Sequence, residues 1–576
     1  MRWRMGALTA VLALTGATAM ASAHPATGRF DRPHEGFAPA TTVLREVTPE
    51  QAGLDPAPIR AAQEQLAAWT RDDAVDGHPL FAGAVGMLVH DGMIVNTYTT
   101  GSAVRYADGS GTELPLEAQV PMRADTIVDL ASVTKLFTSI AVLQLVERGQ
   151  VDLAAPVARY LPEFGRNGKE SITVEQLLTH TSGLEPFLPL WRDWPDSAAR
   201  IQAVLDVAPQ HEPGSTYTYS DLNLITLGVL VERLTGAGLD EVVAGRITGP
   251  LGMIDTGFNP PAAKLDRIAA TEYQTEPARG LVRGQVHDEN AWALGGVAGH
   301  AGVFSTARDL AVLGQALLNG GTYAGRRILT EDSVRAMLTN RTTDFPGDDH
   351  GLGFELNQIW YMGGLTSLVT AGHTGYTGTS FVVDPLSRSV AILLTNRVHP
   401  SRYWGSVNPA RQAWATGLAQ ALAVQPSAGR DAWFSGIGDR STATLVTSPF
   451  SDGSGDLSVR FAAFVDTETT DRLVLEATTD GVTWQPVTLH VTGRGAPRKT
   501  VDALYGTGHR SWWEVRGAVS RIEKVTLRWR FTTDGNYTAR GVYIDAVRVA
   551  DNDRVLLDGE RHPQIFTATG FRLRGR

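Results

Sequence analysis

The chain has 576 residues, of which 43% are hydrophobic and 19% are charged. This length exceeds what one hydrophobic core usually supports, and the composition excludes an intrinsically disordered protein, so we expect two or more globular domains. The 51 basic and 61 acidic side chains give a net charge of −10, spread along the chain, which argues against nucleic acid or an anionic membrane as the main partner.

The first 23 residues have the pattern of a secretory signal peptide. Arg2 and Arg4 form a basic start, residues 5–20 are largely apolar, and residues 21–23 (Ala-Ser-Ala) provide a small-residue cleavage site. The apolar stretch is shorter than the roughly 20 residues that span a bilayer, and threonines and a glycine interrupt it. We therefore expect an extracellular protein with no membrane span after cleavage. It has no cysteine and would fold without disulfides.

The stretch DLASVTKLFTSIAVLQLVERGQVDL, residues 129–153, predicts a buried helix that begins with a serine and a lysine. Ser132 and Lys135 are three residues apart, so a helix places the hydroxyl and the amine on one face at its first turn. Burial among apolar neighbours is expected to lower the pKa of Lys135 and make it a base for Ser132. The alternative is a helix cap followed by a lysine that reaches solvent, because this spacing occurs by chance in long chains.

Two later segments carry polar residues next to apolar runs. PGSTYTYSDLNLITLGVLVERLTG, residues 213–236, places Tyr219-Ser220-Asp221 before a second apolar helix pattern. AGHTGYTGTSFVVDP, residues 371–385, places His373-Thr374-Gly375 before a strand-like run. The order S-x-x-K, Y-x-[N/D], [K/H]-T-G resembles the serine β-lactamase and penicillin-binding protein superfamily. The similarity is greatest to the branch with class C β-lactamases, D-alanyl-D-alanine peptidases and related esterases.

Three further segments extend this resemblance over residues 44–424. They are LLTHTSGL (177–184), VHDENAWALGGVAGHAGVFSTARDL (286–310) and ILLTNRVHP (392–400). The resemblance implies an α+β fold, in which an antiparallel sheet is flanked by helices and accompanied by a helical subdomain. It also implies a serine hydrolase that acts without a cofactor.

The resemblance implies specific roles for the motif residues. Ser132 would be a nucleophile that forms an acyl-enzyme, with Lys135 and Tyr219 sharing proton transfer. A phenol is a poor base at its usual pKa, so the charge of Lys135 is expected to lower the pKa of Tyr219. The backbone N–H groups of Ser132 and Tyr376 would form an oxyanion hole.

The same resemblance implies a set of substrate-binding residues around the nucleophile. They are His373, Thr374, Gly375, Tyr376 and Asp221. His373 is expected to bind a substrate carboxylate or to assist protonation. It stands where many β-lactamases have lysine, and Asp221 stands where many have asparagine, so a permanent positive charge is lost and a negative charge is added.

These departures favour a peptidoglycan-derived amide substrate, cleaved in a D,D-carboxypeptidase or muramoyl-amidase reaction, over an anionic antibiotic. An esterase or a weak β-lactamase is an alternative within the same class. A catalytically silent protein that binds the cell wall or acts as a sensor is the alternative from another class.

Other polar residues have competing interpretations. His287-Asp288-Glu289 is rich in ligand atoms, but three adjacent residues do not converge on one metal as a helix-spaced H-E-x-x-H does, so we predict no metal site. The glycines that follow are expected to shape a loop near the pocket. His180 is expected to be a hydrogen-bonded structural residue, and Asn396, Arg397 and His399 either reach the site or pack around the following loop.

The pattern changes after the Pro/Gly-containing linker at residues 425–430. Leu457, Val459 and Phe461 alternate with polar residues, as in half-buried strands, and Asp480-Gly481 marks a hairpin. We predict a hydrolase domain over residues 44–424 and a jelly-roll-like β-sandwich over residues 431–576. Residues 527–549 resemble jelly-roll modules appended to secreted bacterial proteases and related hydrolases, which implies a role either in attachment, such as contact with the cell wall, or in folding, and leaves calcium binding through loop carboxylates open.

Overall fold

The computed structural model describes residues 29–74, 77–450, 456–520, 524–552 and 554–575. The predicted signal peptide lies outside the described residues. The α-helices are α1 Pro56–Ala68, α2 Thr134–Glu147, α3 Val174–Leu178, α4 Leu190–Asp193, α5 Ser197–Asp206, α6 Asp221–Thr235, α7 Leu239–Val243, α8 Gly249–Leu251, α9 Glu289–Ala293, α10 Ala307–Leu318, α11 Glu331–Met337, α12 Ile359–Met362 and α13 Asn408–Ala421.

Strands in the part before the linker form one large sheet and several short ribbons. They are β1 Arg45–Glu46, β2 Gly83–His90, β3 Met93–Val104, β4 Val120–Pro121, β5 Val128–Asp129, β6 Gly257–Phe258, β7 Ala270–Gln274, β8 Gly280–Arg283, β9 Val303–Ser305, β10 Thr322–Tyr323, β11 Arg326–Arg327, β12 Glu355–Leu356, β13 Ala371–Thr374, β14 Ser380–Asp384 and β15 Ser389–Thr395. The large sheet has the order β1-β3-β2-β15-β14-β13-β12, with β4 paired to β3.

Helices cover both faces of this sheet. Along β15, Val390, Ile392 and Leu394 share a core with residues of α2 and α10. The intervening Ala391 and Leu393 share a second core with residues of α1 and α13. A strand buried on both faces reads as a continuous apolar run, which explains ILLT in the sequence. The predicted α+β fold is confirmed, except that β1 and β3 run parallel and make the sheet mixed.

The helical subdomain is built around α2 and α6. Both helices are largely buried, and their apolar side chains belong to the same core as α3, α5 and α7. In the described part of the chain, no single helix is long and apolar enough to cross a bilayer. The segments Asp221–Thr235 and Leu239–Leu251 meet that test only as a pair, with a 78° bend between them.

The C-terminal region consists of two antiparallel sheets on a common core, as the sequence predicts. Its strands are β16 Ala432–Ser435, β17 Thr442–Thr447, β18 Leu457–Asp466, β19 Arg472–Thr478, β20 Gln485–Pro486, β21 Leu489–Thr492, β22 Trp512–Val519, β23 Thr526–Thr532, β24 Gly541–Asp551, β25 Arg554–Asp558, β26 Phe566–Thr569 and β27 Arg572–Arg574. One sheet has the order β21-β22-β18-β24-β16-β27 with β25 beside β24, and the other β20-β19-β23-β17-β26. Leu457, Val459 and Phe461 point into this core.

Two buried arginines join the sandwich to the hydrolase region. Arg510 forms an ion pair with Asp384 at the end of β14, at 2.8 Å, and donates a hydrogen bond to the carbonyl of Leu365. Arg540 donates to two backbone carbonyls at the end of α13. Both guanidinium groups lie over the ring of Phe30, at 4.1 and 4.9 Å from its centroid. The two regions therefore share a packed interface in addition to the linker.

Replacing Arg510 by methionine should destabilise the whole chain. Neither side chain of the Arg510–Asp384 pair has exposed surface, so the variant leaves a buried carboxylate without its counter-ion. Losing one partner of a buried ion pair costs about 3–5 kcal/mol. Denaturant unfolding of Arg510→Met and of the control Arg516→Met, at an exposed position on β22, measures the difference. Equal stability of the two variants would contradict a structural role for the interface.

Candidate active site

Ser132 lies in a tight turn directly before α2. Residues 131–133 form one 3₁₀ turn, and Ala131 has a φ of +47°, which a non-glycine residue rarely adopts. The carboxylate of Asp129 accepts a hydrogen bond from the Ala131 N–H at 2.8 Å and holds this conformation. The turn directs the Ser132 hydroxyl into a cleft.

Lys135 is buried, with 1% of its surface exposed, and its ammonium group has three acceptors. The Nζ atom lies 2.9 Å from Ser132 Oγ, 3.2 Å from the carbonyl oxygen of His300 and 2.8 Å from Asp221 Oδ1. Burial alone would lower the pKa of Lys135, but the charge of Asp221 and the phenol of Tyr219 outweigh it and raise that pKa. The predicted juxtaposition of hydroxyl and amine is present, whereas the expected lowering of the lysine pKa is wrong.

The glycine-rich loop, residues 295–302, brings the backbone carbonyl of His300 to the ammonium group of Lys135. A Cβ on Gly299 would fall 1.9 Å from the carbonyl oxygen of Leu224 in α6, so only glycine allows this approach. The hydroxyl of Thr138 in α2 donates to the Gly299 carbonyl at 2.8 Å. The loop is thereby held between α2 and α6, close to the cleft as the sequence predicts.

Tyr219 precedes α6 and packs against the same lysine. Lys135 Nζ lies 4.8 Å from the centroid of the Tyr219 ring, and the centroid of the His180 imidazole lies 4.6 Å from the same point. Burial raises the pKa of Tyr219 to about 12, although the nearby charge of Lys135 lowers it. The expected depression of this phenol is therefore wrong for the resting site. His180 Nδ1 accepts from the Ser220 N–H at 3.1 Å, in agreement with a structural role.

Gly375 and Tyr376 follow strand β13 and face Ser132. A Cβ on Gly375 would fall 2.2 Å from the carbonyl oxygen of Leu130, so glycine lets this backbone lie against the turn before the nucleophile. Arg411 in α13 donates from Nη2 to the Gly375 carbonyl at 2.6 Å. Because a trans peptide points its C=O and N–H in opposite directions, this bond fixes the direction of the Tyr376 N–H. Among the described residues, no backbone or side-chain acceptor bonds that N–H.

His373 lies on the cleft wall as a neutral imidazole. Burial, with a smaller effect from Lys135, lowers the pKa of His373 to about 3. Its Nδ1 lies 2.8 Å from the carbonyl oxygen of Thr374, which only an N–H can satisfy, so Nε2 is an acceptor. An acceptor does not hold a carboxylate, so the chemistry of His373 fits a substrate N–H or O–H instead.

The cleft has a volume of about 400 Å³ and includes residues that the sequence did not single out. It is lined by Ser132, Tyr219, Glu355, Trp360, His373, Thr374, Gly375, Tyr376, Arg397, Gly405, Ser406, Val407, Asn408 and Arg411. Arg397 reaches the cleft and also packs around the following loop, where it donates to the carbonyls of Arg402 and Gly405. Asn396 and His399 do not line the cleft and accept from the N–H groups of Gly83 and Arg105. Glu355 is a residue of β12 and Arg411 a residue of α13, and no motif in the surrounding sequence indicates that either lines the site.

Asp221, Asp288 and His300 bring their ligand atoms within 4.8 Å of one another next to the nucleophile. The ammonium of Lys135 already binds Asp221, and His300 Nε2 lies 2.9 Å from Asp288. A cation placed among them would meet the charge of Lys135 at close range. The residues therefore fit a hydrogen-bonded network better than a metal site.

Comparisons with known proteins agree with this architecture. A family model described as Beta-lactamase matches residues 72–414. An Escherichia coli K12 protein named "Putative D-alanyl-D-alanine carboxypeptidase" is 33% identical over 391 residues, which cover 62% of this chain and 86% of that protein. A Salmonella agona protein of the same name is 34% identical over 406 residues, 65% and 90% of the two chains.

Two solved structures have the same fold. One is EstCE1, described as a hydrolase with promiscuous acyltransferase activity, with a TM-score of 0.50 at 20% identity over 63% of this chain and 99% of that one. The other is a class C beta-lactamase with a TM-score of 0.50 at 18% identity, over 65% and 98% of the two chains.

The carboxyl group of Glu355 should make stability depend on pH. Burial raises the pKa of Glu355 to about 7, against an ordinary value of 4.5, so the folded chain holds a proton there that the unfolded chain releases. Its contribution to the free energy of unfolding therefore falls as pH rises from about 4.5 to about 7. Glu355→Gln should match the parent at pH 4.5 and be more stable at pH 8.

Thermal unfolding across this pH range measures the effect, with Glu64→Gln at an exposed position on α1 as the control. A parent and a Glu355→Gln variant with the same pH profile would contradict a raised pKa at this position.

Proposed function

The chain belongs to the beta-lactamase family and is a serine hydrolase, and from this premise we propose that it is a D,D-carboxypeptidase acting on peptidoglycan-derived peptides. The bond cleaved would be the amide between the two terminal D-alanine residues. The two named carboxypeptidase relatives support this substrate. The observation that carries the proposal is a pair of cationic side chains, Arg397 and Arg411, in the same cleft as Ser132.

The two arginines suit a substrate that ends in a carboxylate. Arg397 donates to the backbone carbonyls of Arg402 and Gly405, and Arg411 to Asn408 and Gly375. These hydrogen-bond partners are neutral, and the carboxyl groups that also act on the two charges are Glu272 near Arg397 and Glu355 near Arg411. Charge-assisted hydrogen bonds to a carboxylate are about twice as strong as neutral ones. In this proposal the arginines supply the positive charge that His373 does not.

Acylation would begin with attack of Ser132 Oγ on the carbonyl carbon between the two D-alanines. The N–H groups of Ser132 and Tyr376 would bind the oxygen that becomes negative in the tetrahedral intermediate. Tyr219 carries its proton at neutral pH, which suits it to give that proton to the departing D-alanine nitrogen. Water would then hydrolyse the acyl-enzyme and free Ser132.

We also propose that the protein is exported through the predicted signal peptide, since peptidoglycan lies outside the cytoplasm. The basic start, the apolar stretch and the Ala-Ser-Ala site at residues 21–23 support this proposal. Contact between the C-terminal sandwich and the cell wall stays a prediction that depends on the resemblance to appended modules.

Incubation with a diacetylated L-lysyl-D-alanyl-D-alanine peptide tests the substrate class. The parent protein should release one D-alanine per peptide, and Ser132→Ala should reduce the rate by about 10³-fold or more because the nucleophile is lost. Arg397→Met should raise KM more than it lowers kcat if the arginine binds the carboxylate, whereas Arg411 also holds the Gly375 peptide next to the Tyr376 N–H, so its loss would change kcat as well.

The matching peptide with a C-terminal amide in place of the carboxylate serves as the control substrate. The parent should cleave it poorly, and Arg397→Met should discriminate less between the two peptides. Turnover of a muramoyl-peptide at the lactyl amide, or of short esters only, would contradict the D,D-carboxypeptidase proposal.

A further inference from the structure

The resting site has no ready base for the Ser132 proton. An ammonium group has no lone pair, and Lys135 donates to Ser132 Oγ and the His300 carbonyl while its Nζ forms an ion pair with Asp221 Oδ1. Tyr219 is neutral and holds its own proton. Lys135 must therefore lose a proton before it can accept one from Ser132.

The three acceptors around Lys135 differ in what they can do with that proton. Ser132 Oγ is the reacting atom, and the His300 carbonyl is a backbone amide oxygen, which does not take up a proton in this pH range. Asp221 Oδ1 is a carboxylate oxygen, 2.8 Å from Nζ. We propose that Asp221 accepts a proton from Lys135 and so turns the lysine into the base for Ser132. This step rests on the proposed function, in which Ser132 is the nucleophile.

The proton and bond changes balance over one acylation. Lys135 passes one proton to Asp221, and its free lone pair takes the proton of the Ser132 hydroxyl. The Oγ–carbon bond forms as the carbonyl π electrons move to oxygen. On collapse those electrons return, the bond to the leaving group breaks, and that group takes a proton from Tyr219. Lys135 then restores the proton of Tyr219, and Asp221 returns its proton to Lys135.

Burial favours this transfer once substrate fills the cleft. Lys135 is almost inaccessible, whereas the Asp221 side chain keeps 21% of its surface exposed. A bound substrate that excludes water from Asp221 weakens the solvation of both charges, and a neutral acid–amine pair then gains relative to the ion pair. An asparagine at position 221 offers an amide oxygen that does not accept a proton, so this route depends on the aspartate.

Other titratable groups also face the pair. They are Tyr219, His180, His373, Glu355, Asp288 and His300. Burial holds the pKa of both His180 and His373 low, so these imidazoles stay neutral. Burial tends to raise the pKa of Asp288, but His300 outweighs it and holds that pKa below the usual range. Burial raises the pKa of Glu355 to about 7, and the charged groups that act on this pKa are Arg411 and Lys135 rather than Asp221.

The test is the pH dependence of acylation by a p-nitrophenyl ester, measured as the burst of p-nitrophenol between pH 5 and 10. This leaving group needs no proton, so the rate reports deprotonation of Ser132. In Asp221→Asn, Lys135 must release its proton to water, and the acid limb of the profile should move up by about two pH units. The rate should fall about 30-fold at pH 6 and approach that of the parent at pH 10.

Matched variants separate this effect from loss of structure. Asp240→Asn removes an exposed carboxylate from the first turn of α7 and so matches the loss of the Asp221 carboxylate from the first turn of α6. The pH profile of Asp240→Asn should equal that of the parent. Asp221→Glu should return the acid limb to its original position. Thermal unfolding of each variant checks that the fold is intact.

An acid limb that stays in place in Asp221→Asn, or a rate that falls equally at every pH, would overturn the proton route and leave the proposed function standing. A parent protein with no burst beyond that of Ser132→Ala would overturn the nucleophile assignment, and the proton route with it.

Discussion

The site depends on one buried ammonium group. A charge as inaccessible as that of Lys135 is tolerated only when hydrogen bonds and a counter-ion replace its water. The three acceptors come from the turn before α2, from the start of α6 and from the glycine-rich loop, so satisfying this one group fixes three separate segments in place. The same contacts hold Ser132 Oγ next to Nζ and determine the protonation state in which the site rests.

The large sheet provides the opposite wall of the cleft. Strand β13 carries His373 and Thr374, and the backbone beyond it is held from two sides: Gly375 lies against the Leu130 carbonyl, and Arg411 binds the Gly375 carbonyl. The next strand, β14, ends at Asp384, whose carboxylate is buried against Arg510 of the C-terminal sandwich. The sandwich thus packs against the end of a strand that neighbours the cleft, which makes it part of the folded unit that carries the site.

Local sequence was sufficient to predict the elements that bear the motifs. The spacing of Ser132 and Lys135, the apolar helix after Tyr219 and the strand after Gly375 follow from periodicity over a few residues. In the C-terminal region, alternation at Leu457, Val459 and Phe461 identified half-buried strands. Each of these signals is contained within a single element.

Contacts between elements that are far apart in the sequence could not be predicted from local sequence patterns. The expected pKa shift of Lys135 was wrong because burial was weighed alone, while the distance to Asp221 depends on how α2 packs against α6. Arg411 was missed because its role depends on how α13 packs against the large sheet, and His300 because its backbone carbonyl, rather than its side chain, faces Lys135. Tertiary contacts of this kind set the charge states of the reacting groups. The spacing of the motifs therefore predicted which residues react but not which of them carry a proton.

A covalent acyl-enzyme on Ser132 is the intermediate on which the proposed reaction depends. Intact mass of the protein shortly after mixing with benzylpenicillin, followed by peptide mapping, measures this directly. We expect an added mass equal to that of the drug, located on the peptide that contains Ser132 and absent from Ser132→Ala. An adduct on another residue, or the same adduct on Ser132→Ala, would contradict it.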